Sequence, residues 1–208
     1  MIKLLVVDHH PIIRKGLELL FVTSSTEQVV GSLDNGEAIF DFLRRESVDI
    51  ILTEIDLPKL NGITALRRLK SEYPNIKVIM FSMHPEAVYG ISVIKAGASG
   101  YVCKTANIFT LKEAISKVAN GGTYLSNDLS QSMLYGSRSN RTGSSYKKLS
   151  TRELEVLKLL SIGKKNKDIA QELTINEKTV STYKTRLMKK LNVSNIVDLI
   201  TQAKLLEL

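Results

Sequence analysis

Four short apolar runs in this chain end on residues able to do chemistry. Asp8, His9 and His10 follow residues 3–7, Glu54 and Asp56 follow 49–53, Ser82 closes 77–81, and Lys104 lies just past 100–102. Brought into one cleft, two acids, a hydroxyl and an ammonium could hold a hard cation and a phosphoryl group, with lysine and hydroxyl meeting the phosphoryl oxygens. Scattered, they would only solvate loop ends. The pair His9-His10 raises a transition-metal site, but neighbours leaving a strand tend to point apart, and no Cys or third His is near in sequence. The single cysteine, Cys103, ends an apolar run and reads as a small buried hydrophobe rather than a reactive thiol. A flavin site is disfavoured, because no loop rich in Gly, Ser and Thr follows the first run to cradle its phosphate.

What must position these residues is an alternation of strands and helices. Residues 3–7, 28–31, 49–53, 77–81 and 100–102 read as short strands, most of them apolar enough to be buried on both faces. Between and after them, 12–21, 37–45, 63–72, 87–96 and 108–120 carry apolar residues at three- and four-residue spacing. Five β-α repeats predict an α/β, doubly wound parallel sheet of flavodoxin-like order 2-1-3-4-5, whose chemistry collects at the carboxyl ends of the strands.

Residues 136–145 (GSRSNRTGSS) hold no large apolar side chain and read as a linker. Beyond them, 151–162, 166–173, 177–191 and 196–206 are four closely spaced helical patterns. Ser150 with Glu153 forms a capping-box pattern, and Asn176 is the candidate cap of the third helix. The expected organisation is an α/β domain at 1–122, a linker at 123–148 and an all-α domain at 149–208.

Charge supports a division of labour. The 208 residues include 29 Lys/Arg and 21 Asp/Glu, and seven of the eight excess positive charges lie in the last 82 residues. A basic helical tail suggests a polyanion partner. In 177–191 (EKTVSTYKTRLMKKL), Val180, Leu187 and Leu191 line one face, while Lys178, Ser181, Thr182, Thr185 and Lys189 form the other, a mixture suited to base edges and phosphates. A short helix and a tight turn precede it, the order of a helix-turn-helix. One cysteine excludes a disulfide framework, no apolar run approaches the ~18–20 residues of a membrane span, and no cleavable leader opens the sequence. A cytoplasmic protein with no membrane partner is expected.

At two sets of residues the chain resembles known families. Val6-Val7-Asp8-His9-His10-Pro11, DIILTEIDLP at 49–58 with Asn61-Gly62, VIMFSMH at 78–84 and AGASGYVCK at 96–104 resemble the receiver domain of NarL/FixJ-type two-component response regulators. Leu149 to Glu153, Asn166 to Ala170, Lys178 to Ser181 and Lys190 to Val193 resemble the LuxR-type helix-turn-helix. The receiver resemblance implies an aspartate phosphorylated by a sensor histidine kinase, Mg²⁺ held by an acidic pair and a backbone carbonyl, and a relay through Ser82, Tyr101 and Lys104. His10 matches a histidine common in the family, which implies a structural role. Two departures fall on the chemistry: Glu54 stands at the phosphoacceptor position, and His9 replaces an acid of the metal pair. Asp8 and the backbone of Asp56 are what remains for Mg²⁺, and no cofactor is required on this reading. The helix-turn-helix resemblance implies double-stranded DNA with a pseudo-palindromic site, a homodimer, base contacts from Ser181, Thr182 and Thr185, and further contacts from Lys165, Lys167, Lys178, Thr179, Lys184 and Lys189.

Together these imply a non-enzymatic transcription regulator working without ordinary aspartyl phosphorylation, Glu54 either imitating the phosphorylated state or marking a receiver fixed as a binding platform. The alternatives are a kinase-responsive or protein-interaction regulator whose DNA binding is secondary, and an enzyme acting on a phosphorylated small molecule.

Overall fold

The apolar runs become the interior strands because β-branched and leucine side chains occupy both faces of a sheet covered on both sides. In the computed structural model, which describes residues 1–127, 129–131 and 149–205, β1 (Ile2–Val7), β2 (Glu27–Leu33), β3 (Ile50–Thr53), β4 (Lys77–Ser82) and β5 (Gly100–Cys103) form one parallel sheet in the order β2-β1-β3-β4-β5. This is the expected order. The interior strand β3 is buried at every residue, whereas β2, on the edge, is only half-buried and shifts register against Leu4 and Leu5.

Side-chain alternation divides the core. Leu4, Val6, Ile50, Leu52, Ile79 and Val102 cluster with Leu17 and Phe21 of α1 (Pro11–Phe21) and with Leu111, Ala114, Ile115 and Val118 of α5 (Ile108–Ala119). The alternate residues Leu5, Val7, Ile51, Val78 and Met80 are buried on the opposite face. Also buried are Ile39 and Phe40 of α2 (Ala38–Leu43) and Ile63, Leu66 and Leu69 of α3 (Gly62–Glu72). The remaining crossover helix is α4 (Glu86–Lys95). After α5 the chain returns to the sheet edge, where Tyr124, inside the stretch read as linker, bonds to Ser99 and Tyr101. The linker proper, 136–145, lies outside the described residues.

The described residues group into two compact units, Met1–Met83 with Val93–Asn127, and His84–Ser92 with the described residues from Leu129 onward. The C-terminal helices are α6 (Thr151–Ser161), α7 (Asn166–Glu172), α8 (Glu177–Leu191) and α9 (Ile196–Leu205). Ser150 and Glu153 form the capping box reciprocally, and Asn176 caps α8 by accepting from the Thr179 backbone. Glu153 is almost fully buried, and its Oε2 accepts from the Ser150 backbone and from Lys190 Nζ, both at 2.7 Å. The cap of α6 is thereby tied to the last turn of α8. Between α7 and α8 the turn passes through Thr174 at φ 54°, a left-handed conformation unusual for a β-branched residue.

Burial alone would push the Glu153 carboxyl up. The hydrogen bonds from Lys190 and Ser150 outweigh that, and it is held below its ordinary value of 4.5. A depressed carboxyl contributes stability present above its unfolded value and lost as pH falls through the folded one. Protection of the α6 amides in hydrogen exchange on the full chain should therefore decline below about pH 4.5, and Glu153→Gln should flatten that decline. Ser150→Ala should lower the same protection by about 1 kcal/mol at neutral pH.

Candidate functional site

The carboxyl ends of β1, β3, β4 and β5 bring Asp8, Glu54, Ser82 and Lys104 together. Because the strands are parallel and in register, Val7 lies beside Thr53, Thr53 beside Met80, and Ser82 beside Cys103, so the residue leaving each strand enters the same cleft. All four side chains are buried. The ammonium of Lys104 stands 2.5 Å from Asp8 Oδ2 and 2.6 Å from Glu54 Oε2. Glu54 Oε1 accepts from the backbone N–H of Ile55 at 2.5 Å and from the Ser82 hydroxyl. Every oxygen of the Glu54 carboxylate is thus engaged, one by an ammonium and the other by two donors.

The loop that presents Glu54 is fixed from below. Gly62, at the start of α3, donates its N–H to Ile55 O at 2.8 Å, and a Cβ at Gly62 would lie 2.0 Å from the Glu54 carbonyl oxygen. Only glycine lets α3 approach this closely. Asn61 caps α3 by accepting from the Ile63 backbone.

Asp8 is the second anchor. Its Oδ1 accepts from the His10 backbone at 2.9 Å and meets His10 Nδ1 at 2.8 Å; a carboxylate only accepts, so the hydrogen sits on Nδ1. Arg14, in α1, donates to the Asp8 carbonyl at 2.6 Å. The expectation that His9 and His10 point apart is corrected: their rings lie 3.7 Å apart, tilted by 40°. The chain turns from β1 directly into α1, and the strand alternation behind that expectation no longer applies. Cys103 is half-buried rather than buried, its sulfur accepting from Thr105 at 3.1 Å. Asp56 is half-buried beyond the strand end, and Tyr101 is turned inside the fold at 1% exposure.

On α8 the hydroxyls of Ser181, Thr182 and Thr185 are exposed and donate to the carbonyls one turn earlier. Lys165, Lys167, Lys178 and Lys189 are exposed. Thr179 is half-buried, its N–H and hydroxyl both bonded to Asn176, so it serves the cap. Lys184 is also half-buried and reaches Asn166 Oδ1 at 3.4 Å, while Asn166 Nδ2 reaches Ser181 Oγ at 3.2 Å. Asn166, named from the sequence only as the start of a motif segment, thus joins α7 to the outer face of α8.

Comparison with known proteins fits this division. Residues 4–116 match the response regulator receiver domain, and 147–203 match the bacterial regulatory proteins of the luxR family. The virulence-factor transcription regulator BvgA of Bordetella pertussis is 35% identical over 97% of this chain and 96% of its own length. Response regulator UvrY of Escherichia coli is 32% identical over 96% and 92%. The chain belongs to the NarL/FixJ-type response regulators. Among solved structures, RcsB from Salmonella enterica serovar Typhimurium, bound to promoter P1flhDC in the presence of phosphomimetic BeF3⁻, superposes with TM-score 0.81 at 25% identity, covering 96% of each chain.

Response regulators imply a Mg²⁺ site, and the residues present here do not fit it. The charge of Asp8 is already met by Lys104, and the neighbouring position is an imidazole where Mg²⁺ prefers oxygen. Lys104 is the cation of this cleft. Replacing it with Met should leave two buried carboxylates facing each other and destabilise this unit of the regulator by about 3–5 kcal/mol. Adding Glu54→Gln should recover a large part of that loss. Urea unfolding of the single and double variants tests this, and strictly additive losses would mean that the two groups are not coupled.

Proposed function

We propose that this response regulator is a cytoplasmic, non-enzymatic transcription regulator that binds a pseudo-palindromic DNA site as a homodimer through α8, and that Glu54 holds its receiver in the signalling state without a phosphoryl group from a histidine kinase. One observation carries the second part: the Glu54 carboxylate is bound by Ser82, by Lys104 and by the Ile55 N–H. Hydroxyl and lysine are the groups that would meet phosphoryl oxygens, and the longer side chain brings its own anion to them. Tyr101, the aromatic member of the relay, is inside.

DNA binding is supported by the exposed lysines and hydroxyls on and around α8, by the relatives' description as transcription regulators, and by the solved RcsB–promoter complex. No helix among the described residues is long and apolar enough to cross a membrane. Ser181, Thr182 and Thr185 are the base-reading candidates, while Lys165, Lys167, Lys178 and Lys189 meet phosphates. Lys184 positions Asn166 and the reading face rather than meeting a phosphate.

The test begins with DNA sequences selected from a random pool by the untreated chain. Their affinity should change less than twofold on adding acetyl phosphate with Mg²⁺, and intact mass should show no phosphoryl adduct. Glu54→Ala should weaken binding by about tenfold or more, since a two-state receiver stripped of its anion repopulates the inactive form. Strong labelling and tightening of the wild-type chain by acetyl phosphate would refute the reading. On the DNA side, Thr182→Ala or Thr185→Ala should relax sequence preference by about 1–3 kcal/mol, whereas Lys178→Ala should weaken all sequences alike. Unchanged operator preference in the threonine variants would reassign the face.

A further inference from the structure

We propose that the mouth of the receiver cleft binds one borderline transition-metal ion, with Zn²⁺ as the reference case, through the imidazoles of His9 and His10 oriented by Asp8. Asp8, His9 and His10 each carry an atom of ligand type, and the three lie within 4.8 Å of one another, which gathers both imidazoles at the Asp8 carboxylate. Ligand atoms on a tetrahedral zinc with bonds of about 2.0–2.2 Å are about 3.4 Å apart. Closing the site takes up to about 1.4 Å of movement from the 4.8 Å spacing, which side-chain rotation supplies where the chain leaves β1.

The tautomer of His10 suits the same role. With the hydrogen on His10 Nδ1 directed at Asp8 Oδ1, the lone pair is on Nε2, and a carboxylate behind a histidine is the usual arrangement that fixes a metal-binding imidazole. His9 stacks beside that ring at 3.7 Å and brings a second nitrogen donor to the same place.

Local charge separates this ion from Mg²⁺. Lys104 pairs with the Asp8 carboxylate, and Arg14 bonds its carbonyl. A hard cation, held mainly by anionic oxygen, finds that charge already met. A borderline ion bound through neutral imidazole nitrogens depends on it far less.

The experiment uses the full-length, tag-free chain stripped of metal, titrated calorimetrically with Zn²⁺ and separately with Mg²⁺, and with Co²⁺ read by its visible absorption. One Zn²⁺ per chain should bind in the micromolar range, with no Mg²⁺ saturation there. His9→Ala and His10→Ala should each lower zinc affinity by about tenfold or more, and His84→Ala, which changes the only other histidine, should leave it unchanged. His10→Gln, which keeps a polar side chain on Asp8, guards against a loss caused by misfolding and should lose zinc equally. Absence of zinc binding, binding indifferent to His9 and His10, or Mg²⁺ competing at equal concentration would each overturn the proposal. DNA affinity is not the readout, so failure here is distinguishable from failure of the Glu54 assignment.

Discussion

The ammonium of Lys104, held between the carboxylates of Asp8 and Glu54, is the interaction on which the receiver depends. Two acids buried at this depth would repel each other and pay heavily for desolvation if left alone. A lysine delivered by a third strand end makes their company stable. The charge of Lys104 does what a bound ion would otherwise do, and it does so from within the chain.

That arrangement rests on strand order and register. Placing β1 and β3 side by side, with β4 and β5 following, sets four side chains from residues nearly a hundred positions apart around one point. Gly62 then allows α3 to approach beneath Glu54, and the Ile55 N–H turns toward the same carboxylate. The C-terminal unit solves a related problem with a different device: buried Glu153 answers the free N–H groups of α6 and the Lys190 ammonium at once, so a helix cap becomes a link between helices.

Much of this was legible in the sequence because it follows from local pattern. Burial on both faces of β3 is written in its uninterrupted apolar run, the strand order in the β-α alternation, and the caps in Ser150, Glu153 and Asn176. Glu54, Ser82 and Lys104 could be placed in one cleft because each ends a strand. What escaped were relationships set by backbone direction and by partners distant in sequence. The stacking of His9 on His10 arises where strand periodicity gives way to a helix start. Arg14 on the Asp8 carbonyl, Asn166 across α7 and α8, and Lys190 on Glu153 each join residues whose spacing carries no periodic signal. Thr179 is expected among the DNA contacts through the helix-turn-helix resemblance alone, because a motif does not reveal that both its donors are taken by Asn176.

The burial of Lys104 also gives this chain two electrostatic regimes. Dissolved ions screen charges in water over roughly 8 Å at physiological ionic strength, but they do not enter a cleft whose carboxylates and ammonium are nearly inaccessible. The lysines at 165, 167, 178 and 189 stand in solvent and feel every change in salt. Raising ionic strength therefore weakens the field of the helical surface while leaving the charge pairing inside the sheet intact.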